Sequence, residues 1–295
     1  MIMVDGLGVP PEGWENSIFA KLCSPEFVRL FSENSIPLDA TLGVEGIPQS
    51  ATGQTALFTG KNASQIVGTH LSGFPGPRLK SILKENNIFL ELIKKGHSAM
   101  FANSYARYPL DLVINTRFAS VTSVMLSTYA EKALATEELL NGQAVFHDIT
   151  RESVAEQFEL PTITPEEGAI HLLNVSSKYD FVLFEYFRTD KAGHTGDEKE
   201  LCIVLREFSA FLLNLRKNLP LETGLLLCSD HGNCEDLNSK QHTLNKVPLL
   251  MLNMKTPSPI PSSITDVYDV ILQYFEKNES HMTYKAHSEK GKSHE

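Results

Sequence analysis

Long apolar runs are missing from this 295-residue chain. None approaches the roughly 18 residues that a membrane span requires, so no partnership with a bilayer is expected. An excess of basic residues is missing too: 26 Lys and Arg stand against 36 Asp and Glu, for a net charge of −10. That balance argues against nucleic-acid binding, which needs a basic face. It still allows an anionic substrate if metal ions supply local positive charge. Cysteine is scarce: Cys23, Cys202, Cys228 and Cys234 show no framework spacing, and the expectation is a reduced, cytoplasmic protein. The opening MIMVDG has no basic leader, apolar core or cleavage site, so nothing there marks secretion. No internal repeat is visible.

What is present is an alternation. Ile2–Val4, Ser98–Asn103, Asp180–Tyr186, Thr223–Ser229 and Lys246–Leu252 are short apolar runs that read as buried strands. Between them lie helix candidates. Ser24-Pro25 and Thr164-Pro165 are cap-and-proline starts, residues 197–218 are strongly amphipathic, and Ser263–Lys277 reads as a closing helix. Strands alternating with helices predict a three-layer α/β domain with a mostly parallel sheet covered on both faces. One domain over 1–277 is expected, with 113–168 as a small insertion or lid, and the polar tail 278–295 as disordered. The first strand is short against the usual five or six residues, which points to a natural chain beginning slightly earlier.

In such sheets ligands gather beyond the carboxyl ends of the strands. Asp5 (VDGLG), Asp190 and His194 (DKAGHTGD), and Asp230 and His231 (SDHGN) each follow a strand. His242 (QHTLN) is the exception, since it precedes one and would need a returning loop to reach the others. Any one of these residues is more simply a turn, a cap or a packed imidazole; their convergence on one edge is what suggests metal. Mixed carboxylate and imidazole donors suit zinc or manganese, and the lack of thiolate clusters argues against a structural zinc knuckle. The stretch IPQSATGQTALFTG offers Ser50 as a nucleophile ahead of a short helix from about Gly53, whose N-terminus would face an anion. Ser50, Thr52 and Thr55 could equally be plain helix caps. A serine-hydrolase triad is disfavoured because no G-x-S-x-G elbow surrounds Ser50. Arg117, His147-Asp148 and Lys191 are candidate substrate contacts, against readings as an exposed salt bridge, a helix cap and a solvated lysine. Cys234 reads as packing and Asn233 as a loop-shaping residue.

DKAGHTGD, SDHGNCE and QHTLNKVP, in this order, resemble the metal-binding signatures of cofactor-independent phosphoglycerate mutase and of the alkaline phosphatase superfamily. VDGLG is similar to that family's first metal-binding aspartate, and QSATGQTALFTG to its nucleophile segment, in a register that selects Ser50. The resemblance implies one metal held by Asp190, His194 and His242, and another held by Asp5, Asp230, His231 and the Ser50 oxygen. Two divalent ions about 4 Å apart, manganese or zinc, would clamp a phosphoryl group. Ser50 would attack it to give a phosphoserine. The likeness covers residues 1–62 and 178–252; the mutases and phosphopentomutase carry a large separate cap that 63–177 is too short to supply. The resemblance therefore implies a hydrolase of small phosphate esters, or of similar tetrahedral oxyanion esters such as sulfates or phosphonates. A phosphomutase acting on a small sugar phosphate and a catalytically silent metal-binding scaffold are the alternatives.

Overall fold

A computed structural model describes residues 1–129 and 133–276. The expectation of a disordered tail over 278–295 therefore falls outside the described residues. Six strands form one sheet: β1 (Ile2–Val4), β2 (Ser35–Leu38), β3 (Ala99–Phe101), β4 (Phe181–Tyr186), β5 (Leu225–Ser229) and β6 (Val247–Leu252). Their spatial order is β2-β6-β5-β1-β4-β3. Alternation on β1 shows how both faces are filled, since Ile2 and Val4 enter one hydrophobic core and Met3 the other. Aromatic side chains from the helices Pro25–Asn34 and Glu198–Asn218 fill the first core, among them Phe27, Phe31, Phe208 and Phe211. Helix Ser50–Thr59, with Ala56, Leu57 and Phe58, packs into the second. No described helix is long and apolar enough to cross a membrane.

The expected α/β layering is present, but the sheet is mixed. β5, β1, β4 and β3 run parallel, whereas β6 is antiparallel to both its neighbours, β5 and β2. This reversal positions the site. The start of an antiparallel strand lies at the same sheet edge as the ends of the parallel ones, so His242, which precedes β6, arrives where the other candidates already are. A bridge pairs Gly232 with Thr243 and fixes the two loops together there.

β2 was not anticipated. It follows directly on helix Pro25–Asn34 and contains Pro37, which a sheet accepts at its edge, where β2 lies. Residues 113–168 hold short helices at Val121–Leu126, Thr136–Leu140 and Glu152–Ala155, and they contribute Val124 and Met125 to one core and Phe146 and Ile149 to the other.

Candidate metal centre

Each candidate is held by an identifiable local device. Asp5 directly follows β1, where its N–H donates to the Tyr186 carbonyl at 2.9 Å. The next residue, Gly6, sits at φ 71° with Asp190 so close that a Cβ would lie 2.8 Å from its Cα. No other residue fits that conformation and that approach. DKAGHTGD is a helix, Arg188–Thr195, rather than a turn, and it sets Asp190 and His194 one turn apart on a shared face. Asp230 and His231 leave the end of β5 and are fully buried.

Ser50 is the first residue of its helix, which therefore starts earlier than the expected Gly53. The capping reading does not hold for it. The cap position is Gln49, with no side-chain cap bond, and Thr52 and Thr55 hydroxyls donate back to the Gln49 and Ala51 carbonyls. Ser50 Oγ instead lies 2.9 Å from His231 Nε2. A triad is not assembled around that contact, because the His231 Nδ1 faces the Gly232 carbonyl at 3.4 Å rather than an orienting carboxylate.

The seven residues converge into one nest, with Asp5, Asp230, His231 and His242 buried, Ser50 and Asp190 half-buried and His194 exposed at its mouth. His231 Nε2 is 3.3 Å from Asp5 Oδ1 and 3.6 Å from Asp230 Oδ2. Asp190 lies 3.3 Å from His194 Nε2 and 3.3 Å from His242 Nε2 through its two oxygens. The His231 and His242 rings stack with centroids 3.6 Å apart. His231 is thus shared, since donor atoms of Asp5, Asp230 and His231 lie within 4.8 Å of one another, and so do those of Asp190, His231 and His242.

The tautomers decide what this nest is suited to hold. A carbonyl can only accept, so His194 Nδ1, 3.0 Å from the Lys240 carbonyl, and His242 Nδ1, 2.8 Å from the Pro48 carbonyl, each carry a proton. In the neutral rings both Nε2 atoms are then bare lone pairs, yet they face each other at 3.1 Å. Such a contact needs a positive charge, either a proton on one ring, as the bond between His242 and Asp190 favours, or a metal cation beside the two nitrogens. Asp5 Oδ1 and Asp230 Oδ1 are buried without hydrogen-bond partners, a costly arrangement for carboxylates unless a positive charge meets them. Oxygen and imidazole donors, imidazoles oriented by backbone carbonyls, and orphaned carboxylate oxygens all fit divalent ions.

Titration follows from the crowding. Burial, then the Asp190 charge, holds the Asp5 carboxyl well above the usual range; burial and Asp5 push Asp230 up to about 7. Burial pushes His231 down. For Asp190, burial acts upward but is outweighed by the His242 hydrogen bond and the His231 charge, which bring it to about 2. His242 moves up, its burial outweighed by the bonds to Asp190 and Pro48.

Three supporting residues escaped the sequence reading in this role. Gln54 lies one helical turn after Ser50, and its amide reaches Asp230 Oδ2 at 2.9 Å and Asp5 Oδ2 at 3.4 Å; the four-residue spacing was the available signal. Asn233, read only as loop-shaping, donates to Asp190 Oδ1 at 2.6 Å. Buried Glu235 accepts from Gly8 N–H at 3.0 Å, Asn233 N–H at 2.8 Å, Asn245 Nδ2 at 3.1 Å and the Thr243 hydroxyl. One carboxylate thereby ties together the loops that carry Asp5, Asp230 and His242.

The weaker candidates separate. Arg117 is exposed, with its guanidinium 4.7 Å over the Phe118 ring. Lys191 is exposed on the Asp190 helix. Asp148 caps the following turn, accepting from Arg151 N–H at 2.8 Å and Ser153 N–H at 2.8 Å. Cys234 is buried, its N–H bonded to the Gly6 carbonyl at 2.9 Å.

A family model, that of the metalloenzyme superfamily, matches residues 1–276. The 2,3-bisphosphoglycerate-independent phosphoglycerate mutase of Cereibacter sphaeroides is 28% identical over 102 residues, a match covering 32% of this chain and only 20% of that enzyme's length. A solved structure of a Pyrococcus horikoshii protein aligns over 93% of this chain and 94% of its own, with TM-score 0.55 and 15% identity. The alkaline phosphatase of the Antarctic bacterium TAB5 aligns over 93% and 97%, with TM-score 0.50 and 11% identity. At such identities the structural likeness is one of fold.

Proposed function

This chain belongs to the metalloenzyme superfamily, and from that premise we propose that it is a metal-dependent phosphoester hydrolase using two divalent ions, manganese or zinc. Asp190, His194 and His242 would hold one ion. Asp5, Asp230, His231 and Ser50 Oγ would hold the other, with His231 near enough to both groups to couple them. The observation that carries this reading is the pair of buried oxygens, Asp5 Oδ1 and Asp230 Oδ1, which lack hydrogen-bond partners in one donor group with His231, an arrangement that calls for a cation.

When bound, such ions neutralise phosphoryl charge and make a nearby hydroxyl more acidic. The chain's own residues do the rest. The Ser50–Thr59 helix presents Ser50 at its N-terminus, where the helix dipole favours an anion. Gln54 and Asn233 keep the carboxylates of Asp5, Asp230 and Asp190 from turning away. Ser50 Oγ bonds to phosphorus as the ester P–O bond breaks, and the serine proton departs in the balance with the alcohol. Water then cleaves the phosphoserine to inorganic phosphate and restores the hydroxyl.

A cavity of about 410 Å³ lined by Gln49, Ser50, Asp190, His194 and His242 opens at this point, and the His194 side chain is 45% exposed. Water therefore has access, which favours hydrolysis over the retained intermediate of a phosphomutase. The mutase remains the second reading because the Cereibacter sphaeroides relative bears that name. Product analysis separates the two: free phosphate indicates the hydrolase, an isomerised sugar phosphate the mutase. Ser50→Ala should lower phosphate release by about three orders of magnitude or more while most metal binding survives. Unchanged release in that variant would remove Ser50 from the reaction.

A further inference from the structure

At the same sheet edge, β3 and β4 end in a second cavity of about 270 Å³ that the proposed chemistry leaves unused. Its walls set aromatic rings, Phe101, Tyr105, Phe146 and Phe187, among polar groups that include Asn103 and Arg107. Its one buried acid, Glu185, is held with unusual care. Asn103 accepts from the Glu185 N–H at 2.8 Å and donates to its carbonyl at 2.7 Å, while the Thr122 hydroxyl donates to the carboxyl. The cavity adjoins the centre. Phe187 stands three residues before Asp190, about 5 Å along a helix axis, and the Glu185 carboxyl senses the charges of Asp5 and Asp230.

We propose that this cavity receives the alcohol half of the phosphate ester and selects a flat, mainly apolar ring system bearing a hydrogen-bonding atom that meets Glu185. The inference rests on the phosphoester reading of the centre and sharpens it to a substrate class, phosphate esters of ring-bearing alcohols, with nucleoside monophosphates and aryl phosphates as representatives. Aromatic walls stack on flat rings, which a polyol does not present. A cationic alcohol is disfavoured on two counts. Burial pushes Glu185 up to about 8, so near neutrality it presents an O–H rather than a negative charge. A positive charge also stands in the lining itself, since Arg107 borders the cavity with His147.

The test compares kcat/KM for 4-nitrophenyl phosphate and adenosine monophosphate with that for glycerol phosphate and phosphocholine, using the full chain loaded with manganese or zinc. The ring-bearing esters should be preferred by roughly tenfold or more, and the ratio should fall in Tyr105→Ala and in Phe146→Ala. Equal or better turnover of glycerol phosphate or phosphocholine by the wild-type chain would overturn the inference and leave the phosphoester reading intact. Turnover of no ester would tell against that underlying reading. Ligand-observed NMR with adenosine then judges the cavity alone: binding that Tyr105→Ala abolishes sustains it, and absence of binding overturns it.

Discussion

Glu235 is the residue whose importance least resembles its position in the chain. It touches none of the candidate donor atoms, yet its carboxylate holds the loops after β1 and β5 and before β6 in register. Glu235→Gln keeps the shape and removes the charge that makes those bonds strong. Metal affinity, read by chelator competition, should weaken by about 10- to 100-fold, the usual effect of losing an outer partner of a metal site. An unchanged affinity would make Glu235 a bystander. Glu185 makes a different prediction, about pH. Its folded-state carboxyl lies near 8 against an ordinary value of 4.5, so between these values the folded chain binds the extra proton. Stability from this group is therefore full below about 4.5 and is lost as pH rises through about 8. Glu185→Gln should flatten that decline in denaturant midpoints measured from pH 5 to pH 8.5. A variant that declines as steeply as the parent would assign the loss to other groups.

Among the elements, the nucleophile helix shows local preference yielding to tertiary approach. Alanine normally stabilises a helix interior relative to glycine by about 1 kcal/mol. At Gly53, though, a Cβ would lie 2.7 Å from the Asp230 carbonyl oxygen, which is backbone and cannot swing aside. Gly53→Ala should therefore destabilise by about 1–3 kcal/mol in urea unfolding; a stabilised variant would show that the helix can retreat without cost. The same scale explains what the sequence made legible. Five apolar runs announced five strands, and five ligand candidates were placed by the rule that sites form beyond parallel strand ends. His242 broke that rule because strand direction is a property of pairing, not of composition: nothing in KVPLLML distinguishes an antiparallel strand from a parallel one. β2 was hidden by Pro37, tolerable only at an edge that the sequence does not identify. Gln54 was hidden differently, since its spacing from Ser50 was visible but its partners lie on two other loops.

For the molecule as a whole, the candidate donors join distant stretches of chain, residues 5 and 50 to residues 190–242, across both hydrophobic cores. Metal binding should therefore stabilise the entire fold. At free metal about 100-fold above Kd the gain is about 2.7 kcal/mol, visible as a rise in Tm that a chelator reverses. Protons compete for the same oxygens: Asp230 lies near 7 and Asp5 well above its usual range, so both must ionise to bind. Affinity should then increase as pH rises through about 7, with proton release on binding.

The measurement that bears most directly on the dinuclear centre is the number of ions bound per chain, by equilibrium dialysis of chelator-stripped protein against manganese or zinc at pH 8 and elemental analysis. About two per chain are expected for the wild type, with about one in a variant carrying Asp190→Asn and His242→Ala. A wild-type chain that binds no ion would contradict the centre itself, and with it the function proposed from it.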